Sequence, residues 1–379
     1  MTLELPALKE HLPGKTVLVT EAAGSIGSEL ARQVAANASA RLILLKQAES
    51  ELYWVELALG EAHPELALEP LVAHILDLAR VNEVFELWNP DRVYHAAAYK
   101  HVPLMERNPR EAVRNNLLGT WHVAEVAGRT GTGRFVLVST DKVADPESVM
   151  GATKRAAEMV VQQAQELHPG THYMAVRFGN VLGSNGSVIP LFERQIERGG
   201  PVTITHPEVT RFLMTIPEAV QFVLQAGLLE EGRGQIAMLE MGEPLPIVEL
   251  ARNLVRLKGL RPEVDIPFVY TGLRPGEKMH ETLVGDAERL RPTSLDGVCL
   301  LQMSPVVNNA QALVRLLQVV RDGSLRQDTA RALLFGVVEA GPGAMSHAGQ
   351  RSPDPAVVGP AHPRPLRGPG GGAPPGPGA

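Results

Sequence analysis

Six short runs rich in β-branched residues and leucine recur between segments of helical length, at residues 16–20, 41–45, 71–75, 92–95, 134–139 and 173–177. Strands joined through helix-length segments run parallel, and such crossovers build a doubly wound sheet with helices on both faces. The spacing predicts an α/β fold of the Rossmann type, with its ligand crevice at the carboxyl ends of the strands. After about Gly183 the alternation breaks into mixed segments. The expected organisation is a lead-in over 1–13, a dinucleotide-binding domain over 14–183 and a smaller substrate lobe, interleaved with it, over 184–302. A terminal helical segment over 303–340, with a helix from about 309 to 320, is expected to pack outside. From 341 to 379 about half of the residues are Gly or Pro without a collagen period, which predicts a disordered tail.

A formal charge of −6 offers no broad basic field to nucleic acid or an anionic membrane, so the expected ligand is small. Cys299 is the single cysteine. It excludes an internal disulfide or a cysteine-built metal site and suits a reducing compartment, the cytoplasm. No uninterrupted apolar stretch reaches the roughly 18 residues that span a bilayer, so no membrane span is expected. The twelve histidines form no H-E-x-x-H or comparable spacing, so no metal is expected either. His101 and His206 read as structural or substrate-adjacent.

The first run leads into Thr20-Glu21-Ala22-Ala23-Gly24-Ser25-Ile26-Gly27, with a helix expected near Gly24. A glycine-rich strand-to-helix turn lets backbone N–H groups approach a pyrophosphate at the positive end of the helix dipole. Gly24, Ser25, Ile26 and Gly27 are therefore candidate cofactor contacts, although a plain tight turn needs no more than these two glycines. Glu21 stands where the first glycine of a G-x-x-G-x-x-G arrangement belongs, and brings a carboxylate near an anionic ligand. The second run ends at Lys46, where an NAD-binding chain commonly carries an acid for the adenosine ribose. Lys46 can meet the 2′-phosphate of NADP or simply be solvated, so the expected cofactor is NADP or NAD with NADP favoured. Asp77, after the third run, is a candidate for the adenine amino group and equally a turn former.

More specific markers follow: His95-Ala96-Ala97-Ala98-Tyr99-Lys100-His101-Val102-Pro103, Asn115-Asn116, Ser139-Thr140-Asp141-Lys142 and Val149-Met150-Gly151-Ala152-Thr153-Lys154. Later come Arg177-Phe178-Gly179-Asn180-Val181-Leu182-Gly183-Ser184, Thr205 to Arg211 and Gly272 to Lys278. In these ordered blocks the chain resembles extended short-chain dehydrogenase/reductases, and within them the polysaccharide-biosynthesis UDP-N-acetylglucosamine 4,6-dehydratases. The resemblance runs from about Gly14 to about Val284 and covers their catalytic part.

The resemblance implies a lyase with internally recycled hydride, acting on a UDP-sugar for surface polysaccharide or glycan biosynthesis. Hydride leaves C4, water departs across C5–C6, and hydride returns to C6. Such a reaction needs a base at the C4 hydroxyl, a base at C5 and an acid for the C6 hydroxyl. Thr140, Asp141 and Lys142 are the candidates: Asp141 as acid if its pKa is raised, Lys142 as C5 base if its pKa is depressed. By spacing alone, such a pair is more often a surface ion pair. Lys154 shares a helix face with Met150, the pattern that is Tyr-x-x-x-Lys in the wider superfamily. Met150 has no transferable proton, so C4 deprotonation falls to Thr140, Lys142 or water.

Ala97, Ala98 and Lys154 are further expected cofactor contacts. Lys100, Asn180, Arg211, Arg274 and Glu277 are expected to bind the UDP-sugar, the two arginines because a guanidinium can chelate phosphate oxygens. Two other functions fit parts of the sequence: a nucleotide-sugar 4-epimerase, against which Met150 weighs, and a non-catalytic nucleotide-sugar-binding homologue, for which Glu21 and Lys46 speak. A homo-oligomer through helices flanking the sheet is an expectation of the resemblance.

Overall fold

The computed structural model describes residues 6–37, 39–303 and 309–338. Six strands alternate with helices: β1 (Thr16–Thr20), β2 (Arg41–Lys46), β3 (Ala67–Val72), β4 (Arg92–His95), β5 (Arg134–Val138) and β6 (His172–Arg177). They belong to a nine-stranded sheet in the order Glu288–Pro292, Val298–Met303, Ile236–Leu239, β6, β5, β4, β1, β2, β3. From Ile236–Leu239 to β3 every pairing is parallel; the two outer strands are antiparallel. This is the doubly wound Rossmann-type sheet that the spacing predicts. The strand order reverses between β1 and β4, where such sheets open a crevice.

One strand lies elsewhere than expected. The third run was placed at 71–75, but β3 occupies Ala67–Val72 and contains Glu69 and Pro70. Those residues read as breakers, yet β3 is the sheet's edge, where a proline's missing N–H need not cost a ladder bond.

Each central strand is apolar on both faces because helices cover both. Side chains alternate across a strand. Accordingly Val17 and Val19 of β1 join one core with Leu42 and Leu44, while Leu18 joins the opposite core with Ile43 and Leu45. The first core is closed by helices Ser25–Ala36 and Ile216–Ala226, which pack on each other. Helices Leu78–Trp88, Gly119–Thr130 and Val149–Leu167 close the second. A third core, including Phe192, Ile196, Val202, Ile204, Val255 and Ile266, lies under the later segments. There the strands shorten to pairs such as Asn180–Val181 with Leu213–Met214 and Thr210–Arg211 with Leu245–Pro246.

The terminal helix spans Ala310–Arg321, and a second, Gln327–Val338, packs on Val149–Leu167. The tail expected over 341–379 lies outside the described residues. The last two sheet strands are tied to the rest by Arg177, which has no solvent exposure. Its guanidinium donates to Glu158 at 3.2 and 2.9 Å and to Glu288 at 2.7 and 2.9 Å. Burial alone would lower the Arg177 pKa, but the two carboxylates more than reverse that and raise it.

Candidate functional site

A cavity of about 690 Å³ opens at the carboxyl ends of the parallel strands, lined by residues that follow β1, β4, β5 and β6 and by Lys46 at the end of β2. Its floor on one side is the glycine loop. Helix Ser25–Ala36 starts directly after Gly24 and no side chain caps it. The first N–H groups of a helix lack intrahelical partners, and here Gly24, Ser25, Ile26 and Gly27 all line the cavity. A Cβ on Gly27 would run into the backbone of Glu21 and Ala22, so only glycine lets the helix sit this close to the turn. Backbone of this kind, at the start of an uncapped helix, suits an anionic group such as a pyrophosphate.

Glu21 adopts φ 57°, the left-handed conformation that a glycine would take without cost. From there its carboxylate reaches across to the Lys46 ammonium, which is also 3.1 Å from Glu51. Burial alone would lower the Lys46 pKa, but Glu21 and Glu51 outweigh it and raise it. The two departures from the dinucleotide-binding pattern are thus one ion pair. This corrects the expectation that Lys46 offers an open cation to a 2′-phosphate: its charge already has two carboxylate partners.

Two further expectations are corrected. Asp77 does not line the cavity; its carboxylate accepts the Arg80 N–H at 3.0 Å and caps helix Leu78–Trp88. Ala97 is buried in the core, whereas Ala98, expected with it, lines the cavity together with Ala96. The segment is held by Thr20, whose hydroxyl accepts the N–H groups of Ala96 and Ala97 at 3.1 and 3.2 Å. Thr20 also contacts His95 Nδ1 at 2.8 Å, and His95 Nε2 contacts the Thr120 hydroxyl at 3.0 Å. Because Thr120 gives its proton to the Asn116 carbonyl, Nε2 must be the protonated ring nitrogen. Burial pushes the His95 pKa down to about 3, so the ring is neutral and structural. Asn116 completes the support, accepting the Tyr99 N–H at 2.7 Å and donating to the Tyr99 carbonyl and to Thr153.

On the opposite wall, the chain leaving β5 brings Thr140, Asp141 and Lys142 together. Asp141 Oδ1 accepts from the Thr140 hydroxyl and the Lys142 ammonium, each at 2.9 Å. Its Oδ2 is buried with no partner. Thr140 and Lys142 line the cavity, whereas Asp141 is fully buried behind them. Lys142 also donates to Asn180 Oδ1 at 3.0 Å and lies 3.6 Å from Glu281. Burial opposes its charge, but Asp141 and Glu281 outweigh it, so its pKa is raised rather than depressed. Lys142 therefore keeps its ammonium in the ligand-free chain, and the depressed pKa that its role as C5 base asks for is not met there.

Met150 and Lys154 share a cavity-lining face, as their spacing requires. Lys154 donates to the Val138 carbonyl, and burial lowers its pKa to about 8.

Towards the later segments the cavity is lined by Lys100, Asn180, Arg211, Arg274 and Glu277, all expected there. Lys100 donates to Ser184 at 3.2 Å, and the Asn185 N–H donates to Ser25 at 3.0 Å, so residues 184–185 join the two sides. Arg211 is fixed by the Thr210 and Met279 carbonyls and by Glu277 and Glu281. Among the described residues Arg274 has no ion-pair partner, which leaves its guanidinium open to an anion. Glu281 went unread in the sequence, although it stands three positions beyond the last quoted block. It bridges Lys142 and Arg211. His101 lines the cavity against Gly186, while His206 does not and instead accepts the Glu208 N–H at 3.2 Å. Among the described residues no group of acidic, histidine or cysteine side chains is placed to hold a metal, and no helix is long and apolar enough to cross a membrane.

Residues 17–303 match the sequence model of the family described as "Polysaccharide biosynthesis protein". The chain belongs to that family. One member, the "Capsular polysaccharide biosynthesis protein CapD" of Staphylococcus aureus, is 51% identical over 287 residues, which are 76% of this chain and 48% of CapD. The chain thus spans about half the length of that relative. A UDP-glucose 4-epimerase of Rickettsia felis is 32% identical over 296 residues, 76% of this chain and 83% of the epimerase. Among solved structures, DesIV of Streptomyces venezuelae, a dTDP-glucose 4,6-dehydratase with NAD and TYD bound, superposes with a TM-score of 0.63. It is 24% identical, with 81% of this chain and 97% of DesIV covered. That likeness shows a shared Rossmann-type fold.

Proposed function

We propose that the chain is a nucleotide-sugar 4,6-dehydratase acting on UDP-N-acetylglucosamine with a resident nicotinamide dinucleotide. The observation that carries this reading is the bonded run Thr140–Asp141–Lys142 on a cavity wall where residue 150 is methionine. Both a 4-epimerase and a dehydratase need an acceptor for the C4 hydroxyl proton, which Met150 cannot be. A dehydratase alone needs in addition an acid and a base at neighbouring carbons, roles that the Asp141–Lys142 pair suits.

The bound nicotinamide would take hydride from C4 and return it to C6. The C4 hydroxyl proton leaves to water past Thr140. Moving one proton along the 2.9 Å bond from Lys142 to Asp141 leaves a neutral amine and a neutral carboxyl group. Exclusion of water by substrate favours that neutral form over the ion pair. The Lys142 amine then takes the C5 proton, and the Asp141 proton reaches the departing C6 hydroxyl through Thr140. Lys142 returns its proton to C5, and one proton from solvent restores the pair. Arg274, without an ion-pair partner among the described residues, is the guanidinium open to a diphosphate, whereas Arg211 is already held by Glu277 and Glu281.

The test is incubation of the protein with UDP-N-acetylglucosamine, with no added cofactor, NAD or NADP, with the nucleotide sugar followed by mass spectrometry. Loss of one water that disappears in Asp141→Asn and Lys142→Ala is expected. A product of unchanged mass with altered C4 configuration would make the chain an epimerase. Binding without any product would leave the non-catalytic reading.

A further inference from the structure

We infer that Glu21 receives the adenosine ribose hydroxyls of the dinucleotide, in place of an acid at the end of β2, and that the Glu21–Lys46 pair selects NAD over NADP. This rests on the proposed reading of the cavity as a dinucleotide site.

The geometry begins with the left-handed backbone at Glu21, which turns its side chain over Gly24 and towards the end of β2. The carboxylate therefore lies between the pyrophosphate-binding turn and the strand end, on the cavity wall. Its side chain keeps 32% of its exposure, whereas the Lys46 side chain keeps 9%. Both line the cavity, and the carboxylate is the more exposed of the two.

A ribose 2′,3′-diol has two O–H donors and needs acceptors. Lys46 has none, being a donor only. Glu21 has two carboxylate oxygens, and the ammonium holds the group in one place. Glu51, at 3.1 Å from the same ammonium, is a second acceptor at the rim. Two carboxylates around one cation give the cluster a net charge of −1. A hydroxyl is welcome there. A 2′-phosphate would bring its own negative charge against both carboxylates while the one cation is already engaged. Coulomb repulsion at such range amounts to about tenfold or more in affinity.

The test is isothermal titration calorimetry of NAD and of NADP against the full chain and against Glu21→Gln, Lys46→Met and Glu21→Gly. In the wild type, NAD should bind about tenfold or more tightly than NADP. In Glu21→Gln, NAD should weaken and NADP tighten, so that most of the preference is lost; in Lys46→Met both should weaken, since the carboxylate loses its anchor. The thermal midpoint of each variant, with and without dinucleotide, shows that folding is intact and gives the ranking a second time.

Equal or tighter binding of NADP by the wild type would overturn the inference. So would tighter NAD binding in Glu21→Gly than in the wild type, because the side chain would then obstruct the site. The calorimetry uses no sugar substrate. A Glu21-dependent preference for NAD with no water loss from UDP-N-acetylglucosamine would sink the proposed reaction and leave this inference standing, and the reverse pattern would do the opposite.

Discussion

The Lys142 ammonium donates to Asn180 Oδ1 at 3.0 Å, so the segment leaving β5 and the short strand that opens the substrate side meet at one titratable group. That bond is neutral on the asparagine side. Asn180→Asp would add a carboxylate next to Asp141 and Glu281 and push the Lys142 pKa further up. Less neutral amine would then exist at any given pH. Water loss should slow by roughly tenfold for each unit of added shift, because less of the pair then exists as amine and carboxyl group. An unchanged rate would mean that Lys142 is not the C5 base.

Gly151 lies against the Lys142 carbonyl so closely that a Cβ could not be placed without moving one of them. Gly151→Ala should destabilise the chain by about 1–3 kcal/mol and shift the Thr140–Lys142 turn. Denaturant unfolding measures the first effect, and kcat should fall more than KM rises. Wild-type stability and kcat in the variant would contradict the packing described here.

Arg177 lies between Glu158 and Glu288 and hydrogen-bonds to both, and Arg155 joins them at 2.9 Å from Glu158 and 3.9 Å from Glu288. Arg177→Met should cost about 3–5 kcal/mol, because two carboxylates are then left buried with too little charge to face. Adding Glu288→Gln to the variant should restore part of that loss. If the single variant unfolds at the wild-type denaturant midpoint, the network does not hold the edge strands.

Lys154 titrates near 8 in the folded chain against an ordinary value of 10.5, and burial is the cause. Between those two values the unfolded chain binds a proton that the folded chain has released. Stability therefore rises with pH across that window, by roughly 3 kcal/mol, as the cost of burying the charged group is relieved, and it is independent of this residue's titration below it. The difference in unfolding free energy between wild type and Lys154→Met should increase from pH 7.5 to about 10.5. A flat difference would mean that Lys154 keeps its proton throughout.

How far the sequence disclosed these features depended on the range over which each is determined. Five of the six strand runs and the helix start after Gly24 were legible, because both follow from local apolar pattern and turn chemistry. β3 was misplaced because Pro70 is tolerated only by virtue of its edge position, which no local window reveals. Ala97 and Ala98 cannot both face the cavity because neighbours in an extended stretch point to opposite sides, a phase that residue type does not reveal, and Asp77 is absorbed by its own helix. Glu21 and Lys46 looked like two separate defects. They are 25 positions apart and make sense only when β1 and β2 lie side by side. The burial of Asp141 and the carboxylates around Lys142 were equally invisible, since Glu281 arrives from the far end of the chain.

The antiparallel pair Glu288–Pro292 and Val298–Met303 has a consequence for a chain made from its amino end. Six parallel strands are complete once Arg177 has been synthesised, but the sheet's other edge and the second carboxylate for Arg177 arrive more than a hundred residues later. On the ribosome, Ile236–Leu239 closes the flank of β6 first but then waits with its own flank open, and Arg177 with one carboxylate missing, until the antiparallel pair emerges. Nascent chains arrested before Glu288 should therefore be far more sensitive to protease than chains released after Met303, because non-local pairing cannot precede the partner's synthesis.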